Sequence, residues 1–567
     1  MMQHPLNAQA HFATAPNSID MPRSKFGRNF DYKATANAGK LNVAMVDEIL
    51  PGDTVDLSAV AMARMSTPIF PVMDSCYLET FGFWIPYTQV WDHWREFCGE
   101  NDSSQWVNTQ EYTVPGIDVS KTSNFPGTTT SCRSIGDFSH QIGVPLDVFI
   151  GTYCNSLVHR SYRRVWNTWF RDQNLQDPLP ENHGDTDTDT SYNALLPVNR
   201  VHDYFGSCLP APQHGDAVRI MLQGTAPVYA SESATDLTSA QATAAGVGSM
   251  RWRKADDMTV YSSGKPIGVN AGSNGNKTAV FNADGAAMVS SPVYMTPSNL
   301  VVDADLSQHA TAPLGSLGID VAQLRLAVQS QRILERLNFG SRYAEFVRSF
   351  FGVSSPDLAL QIPELLCYSK QLLNMTDVPQ SAPGASGQTP LGTVGAYSKT
   401  FDSSPHFNRT FNQHGTIMLL YCIRHERSYS QGLQRMFMRK RFEDYYVPQL
   451  ACIGDQPVYT REIYAYAPQN DIFGYQEAWQ EYRMKPNITA GLLDPAVSGT
   501  IGDLWTYTDK YTQAPTLSDS WIQEGDAEIS RTLAVTDEDE FVINFRFRYE
   551  HTRAMPARSI PGLVDHF

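Results

Sequence analysis

The run from Met62 to Trp94 sets aromatic, β-branched and proline residues side by side, and between Ser66 and Trp91 it carries only Asp74 and Glu79 as charges. A half-exposed strand alternates polar and apolar residues. A run this uniform can be hidden only between other protein surfaces on both of its faces. The chain therefore has to supply a layered core rather than a single exposed sheet. With 34 prolines, 38 glycines, 26 tyrosines, 27 phenylalanines and 10 tryptophans over 567 residues, the expectation is a β-rich, loop-rich body with large excursions.

The formal net charge of −16 excludes a protein that binds nucleic acid over its whole surface, because phosphate neutralisation by cations supplies most of such affinity. Any nucleic-acid contact must be local. The eight cysteines lie far apart and form no CxxC pair, which reads as free buried thiols rather than a disulfide framework or a zinc site. No charged n-region followed by an apolar stretch opens the chain, and no apolar run approaches the ~18 residues of a membrane span. The expectation is synthesis in a reducing cytoplasm, without membrane insertion. The longest apolar run, residues 417–423, fits a buried strand.

Along the chain, residues 1–40 read as an extended, mildly basic N-terminal arm. The body begins at residue 41, with strand-like runs at 59–63, 76–85 and 144–150. Residues 160–171 place Tyr162, Val165, Trp166, Trp169 and Phe170 at helical spacing. From Thr225 to Ser249, 17 of 25 residues are Ala, Ser, Thr or Gly. The stretch 224–300 is accordingly read as an exposed insertion dividing a first body segment, 41–223, from a second, 301–567. The second opens with a helix that Asp320 and Gln323 would cap and Gly340 would stop. A short helix follows over 341–351. At the end, Phe545, Phe547 and Tyr549 alternate with Arg546 and Arg548, the pattern of a half-buried strand.

Candidate chemical sites are few. Asp185, Asp187 and Asp189 alternate like calcium ligands, but Thr190 and Leu196 stand where an EF-hand needs its glycine and bidentate acid. The expectation is a solvated acidic loop. Cys422 and His425 lack a second ligand pair and read as a buried thiol beside a surface or interface histidine. His202–Asp203 and Asp92–His93 lack a placed nucleophile, so neither makes a triad. In the N-terminal arm, Arg23, Lys25, Arg28 and Lys33 interleave with Phe26. Charge plus stacking rings is the chemistry of single-stranded nucleic-acid binding. The alternative there is arm exchange between subunits. A second basic stretch, Arg435 to Phe442, has Glu443 and Asp444 behind it and reads more as internally paired. The arginines at 546, 548, 553 and 558 are a third candidate.

Dispersed blocks along nearly the whole chain carry a family likeness. They include residues 21–26, 46–54, 66–94, 166–177, 202–210, 323–356, 431–436, 472–477, 481–486 and 560–567. In wording and order they resemble the major capsid proteins of microviruses, small icosahedral single-stranded DNA bacteriophages, and most closely the gokushovirus branch. The resemblance implies an eight-stranded antiparallel jelly roll with long loop insertions and a few short helices. It also implies assembly with itself into a T=1 shell around a circular single-stranded DNA genome. Other phage proteins (scaffolding, pilot and small DNA-binding proteins) are implied as partners. The protein would be located in the virion after synthesis in a bacterial host cytoplasm. Residues 224–300 would be the threefold protrusion and a candidate contact for a host surface receptor. No catalysis, cofactor or metal is expected. The contrasting class is a jelly-roll carbohydrate-binding or carbohydrate-active protein, whose aromatic platforms would give a similar composition.

Overall fold

The computed structural model describes residues 22–100, 111–118, 136–145, 153–187, 190–213, 361–381, 391–451, 453–497 and 501–558, with separate short elements between 229 and 353. Twelve strands organise the main unit. They are β1 (Arg23–Gly27), β2 (Phe30–Ala36), β3 (Asn42–Ile49), β4 (Thr54–Met65), β5 (Cys76–Pro86) and β6 (Glu364–Leu372). After these come β7 (Met375–Pro379), β8 (Val394–Ser398), β9 (Thr400–Asp402), β10 (His406–Thr410), β11 (Gly415–His425) and β12 (Phe541–Ala554).

Two antiparallel sheets share these strands. In the first, β12 lies between β4 and the consecutive pair β1 and β2, while β9 and β10 line the far side of β4. The second runs β6–β5–β11–β3. The class is mainly β, as composition leads one to expect. β7 and β8 form a separate hairpin.

Period-two alternation fixes which side of the first sheet is dry. On β4, Val55, Leu57, Ala59, Ala61, Ala63 and Met65 are buried, and on β12 so are Phe541, Ile543, Phe545, Phe547 and Tyr549. They pack against Leu78, Trp84, Ile417, Leu419, Tyr421 and Ile423 of the second sheet in one core. The other face of that sheet is covered too. Phe83, Ile85, Met418, Leu420 and Cys422 join Trp91, Phe138, Tyr162, Val165 and Trp166 in a second core, partly built by helix α1 (Leu157–Val165). This double cover is why β5 and β11 can be nearly charge-free. A third cluster gathers Phe205, Tyr429, Phe473 and Trp521 under the hairpin of Asp455–Tyr459 and Ile472–Glu477.

Residues 157–170 are helical as the spacing predicts, the last turn widening over Trp166–Phe170. Helices α2 (Val321–Leu337) and α3 (Tyr343–Phe351) stand where two helices are expected. The helix signals at Asp320 and Gly340 lie outside the described residues, as does most of the strand expected at 144–150. Of the N-terminal segment read as an arm, residues 23–36 form two strands paired to β12. The chain divides into two compact units, residues 1–214 with 335–567, and residues 215–334. Within the second, the described strands are short antiparallel pairs, Arg251–Lys254 with Leu300–Asp303 and Gly268–Ala271 with Lys277–Val280 among them. The thiols correct the sequence expectation in part: Cys76, Cys208 and Cys422 are buried, Cys154 and Cys367 are half-buried, and Cys98 is exposed. Cys98 follows a four-residue helix at the surface, where no apolar layer covers it.

Candidate nucleic-acid interface

The side of the first sheet turned away from the core collects cations from distant parts of the chain. On β12 the outward residues Val542, Asn544, Arg546, Arg548, Glu550 and Thr552 lie beside Arg64, Met62, Val60, Ser58, Asp56 and Thr54 of β4. On the other flank, β2 sets Asp31 beside Arg546 and Lys33 beside Asn544, and β1 sets Lys25 beside Thr552. Six cations (Arg23, Lys25, Lys33, Arg64, Arg546 and Arg548) thus share a face with three carboxylates, Asp31, Asp56 and Glu550. In a chain of net charge −16, that local excess is the reverse of the average surface.

The cations in the ion pairs on this face are largely exposed. Arg546 reaches Asp31 only at 3.9 Å with its side chain 81% exposed, and Arg548 meets Glu550 at 3.3 Å with 73% exposed. Lys25 lies 2.5 Å from the same Glu550. The Lys25 ammonium, followed by Arg548, holds the Glu550 carboxyl below its usual range. Exposed pairs of this kind contribute little, because solvent screens both charges, so a phosphate can displace the carboxylate without a large penalty. Among the described residues, Lys33 and Arg64 have no carboxylate partner.

Of the five residues singled out in the sequence, the fold brings three to this face. Arg23 donates to the Gly52 carbonyl and lies 3.5 Å from the Thr54 hydroxyl at the sheet corner. Lys25 and Lys33 complete the row. Phe26, by alternation, turns the other way and sits half-buried opposite His551. Arg28 is tied to Asp47 while staying exposed: its guanidinium donates to both oxygens of Asp47 and lies 5.2 Å from the centre of the Tyr549 ring. Next to it, burial pushes the Asp53 carboxyl up, but hydrogen bonds from Arg553, the Leu50 N–H and His551 outweigh this and hold it low. That buried cluster pins β12 to the turn between β3 and β4, and it also claims Arg553. Arg558 has no carboxylate partner among the described residues.

The other sequence candidates resolve into structural roles. The acidic loop is not simply solvated. Asp187 is fully buried, 2.8 Å from the Arg160 guanidinium, and Asp185 accepts from the Trp91 indole at 2.8 Å and lies 2.9 Å from His93. Asp189 lies outside the described residues. His425 is not at a surface: it is buried 2.5 Å from Glu524, inside a network in which Arg427 meets Asp509 at 2.7 Å, Glu524 at 3.2 Å and Glu528 at 3.3 Å. Sequence reasoning missed this because its carboxylates arrive from about a hundred residues away. In the stretch 435–442, Arg435 faces Glu462 and Glu481 at 3.6 and 3.7 Å, and Arg439 lies 2.9 Å from Glu481. Among the described residues, no cluster of His, Cys, Asp and Glu has the arrangement of a metal site.

Residues that sequence reasoning did not find also belong to the outward face. Phe401 lies beside Met62 through pairing of β9 with β4. Tyr397 and Lys399 precede it, and Tyr397 touches Arg64. The only local signal was the alternation of β4, which places Arg64 among outward residues. Nothing local links residue 64 with 397–401.

Comparison with known proteins adds independent information. The model of the family described as capsid protein (F protein) matches residues 15–563. The chain is 32% identical over 605 residues to capsid protein VP1 of Chlamydia phage 1, covering 97% of each chain. To capsid protein VP1 of Bdellovibrio phage phiMH2K it is 32% identical over 569 residues, covering 99% of this chain and 98% of the relative. The same identity holds over 578 residues for capsid protein VP1 of Spiroplasma virus 4, covering 98% of each.

Proposed function

Because this chain belongs to the phage capsid protein (F protein) family along almost its whole length and serves as a major capsid protein, we propose that its copies close into a T=1 icosahedral shell around a single-stranded DNA genome, with the outward face of the first sheet turned to the DNA. The observation that carries the genome contact is the excess of exposed cations on one sheet face of an acidic protein. Such cations release counterions from phosphates without reading sequence, as a packaged genome requires. Carbohydrate binding, the contrasting class, is set aside, since the relatives are capsid proteins.

The body of the subunit is read as an eight-stranded jelly roll. Support comes from the strand order. Counting β1 with β2 and β9 with β10 as single interrupted strands, each sheet is four strands wide, and the first strand lies beside the last. The chain crosses between sheets at almost every step, from β2 to β3 to β4 to β5, and again from β10 to β11 to β12. Closed assembly needs several different contact patches on one subunit. The exposed Met436, Phe437, Phe442 and Tyr445 are of the residue types that such contacts favour. We place 224–300 on the outside of the shell, available to a host receptor. The protein is thereby a component of the virion, made in the host cytoplasm alongside its scaffolding, pilot and DNA-binding partners.

The test is nuclease protection. Particles from cells expressing the chain with its neighbouring phage genes should retain nuclease-resistant single-stranded DNA. Changing Arg546 and Arg548 together to glutamine should leave particle yield intact and reduce the retained DNA. Unchanged DNA content would refute the assignment of this face.

A further inference from the structure

At one end of the outward face, two exposed aromatic rings each carry a cation. Pairing of β9 with β4 sets Phe401 beside Met62. Its neighbours Thr400 and Asp402 point into the protein, where Thr400 accepts from the Asn374 N–H at 2.7 Å and Asp402 accepts from the Ser404 N–H at 2.8 Å. Those two inward anchors fix the strand, so alternation forces the Phe401 ring out, 57% exposed. The Lys399 ammonium lies 4.9 Å from the centre of that ring. Tyr397, 44% exposed, lies 5.8 Å from the guanidinium of Arg64. Among the described residues neither Arg64 nor Lys399 has a carboxylate partner.

An exposed phenylalanine on a pinned strand leaves apolar area in water and gains nothing for the fold. Phe401, Tyr397, Met62, Val60 and Val542 together make the face partly apolar between its cations. Uncompensated cations beside upstanding rings suit a ligand that is flat and apolar in one part and anionic in the next. That is the repeat of a single strand, base then phosphate, and every base has a face to stack. A duplex would hide its bases and could use only the cations. We propose that Phe401 and Tyr397 are stacking platforms for unpaired DNA bases, with Lys399 and Arg64 taking the adjoining phosphates. This rests on the reading that the face meets the genome, and it names which side chains hold bases rather than backbone.

The experiment uses the full-length chain and two fluorescent probes of equal length and charge, an oligothymidylate and an abasic oligodeoxynucleotide, titrated at several salt concentrations. Phe401→Leu keeps an apolar side chain and removes the ring; Arg546→Gln removes one cation. The expected result is that Phe401→Leu weakens oligothymidylate binding about tenfold, within what one base–ring stack supplies, and leaves abasic binding unchanged. Arg546→Gln should weaken both probes equally and lower the salt slope by about 0.7. If Phe401→Leu affects neither probe, or both equally, while Arg546→Gln still weakens both, stacking is overturned and the genome-facing reading stands. If neither variant changes either probe, both fall. If Phe401→Leu leaves DNA binding intact but blocks particle formation, the ring belongs to a contact between subunits and the proposal is overturned. Equal melting temperatures for the variants and the parent keep a folding defect from imitating any of these results.

Discussion

Replacing Glu524 with glutamine should destabilise the subunit by about 3 kcal/mol at neutral pH. The carboxylate is fully buried, 3.2 Å from Arg427, 2.5 Å from the His425 ring and 3.2 Å from the His425 N–H. Removing one partner of a buried pair costs about 3–5 kcal/mol, because the other charge is left without compensation in a medium that cannot solvate it. Arg427 would keep Asp509 at 2.7 Å and the partly exposed Glu528 at 3.3 Å, which sets the estimate at the lower end. With an unfolding entropy of about 2.1 cal/mol/K per residue, one cooperative transition of the whole chain would fall by roughly 3 °C. Burial pushes the Glu524 carboxyl up, but Arg427 and His425 outweigh it and hold its pKa far below the ordinary value. Asp509 beside them is lowered to about 2, by Arg427 and Arg200 against its own burial. A carboxylate with a depressed folded pKa contributes stability above its unfolded pKa and loses it as pH falls through the folded value. The gap between parent and variant should therefore be complete at pH 7 and shrink below about pH 4. Differential scanning calorimetry of the purified chain from pH 3 to 8 reads both quantities. A melting temperature unchanged at pH 7, or a gap independent of pH, would refute the reasoning.

Glu540 predicts the opposite sign. Burial raises its pKa to about 7 against hydrogen bonds from the Ala38 N–H and the Ser530 hydroxyl, so its ionisation opposes folding increasingly from about pH 4.5 to 7. Glu540→Gln should raise the melting temperature at pH 8 and leave it unchanged at pH 4, by the same calorimetry. Gly39 has φ +72°, and a Cβ there would stand 2.2 Å from the Glu524 carbonyl oxygen. Gly39→Ala should lower stability by more than the ~1–2 kcal/mol that the left-handed conformation alone costs, and soluble yield will report it. Deleting residues 224–300 should leave shells intact in negative-stain images while abolishing adsorption to host cells; unchanged adsorption removes the receptor role.

What sequence could reveal followed the range of the interactions concerned. The strands β4, β5, β11 and β12 are legible because alternation or unbroken apolarity is a local pattern. The double cover of β5 follows from Ser66 to Trp91 being almost uncharged. Arg546 and Arg548 on one side of β12, with Phe545 and Phe547 on the other, are equally local. Adjacent residues of an arm look alike in sequence, but pairing with β12 sends Lys25 and Phe26 to opposite faces. Arg28 then pairs with Asp47, nineteen residues away, while its side chain stays exposed. The sites joined by distant chain, Arg64 with Tyr397 and His425 with Glu524, have no local signature. Only the pairing of β9 with β4, and the loop that carries Glu524 back to the end of β11, creates them.

The central claim is that this chain closes into a shell with the cationic face of its first sheet against DNA. Cryo-electron microscopy of particles made with the neighbouring phage genes tests it most directly. The account predicts closed icosahedral shells of one subunit type, with Lys25, Lys33, Arg64, Arg546 and Arg548 lining the interior and density for nucleic acid beside Phe401. Small oligomers without shells, or shells that turn this sheet face to the outside, would contradict it.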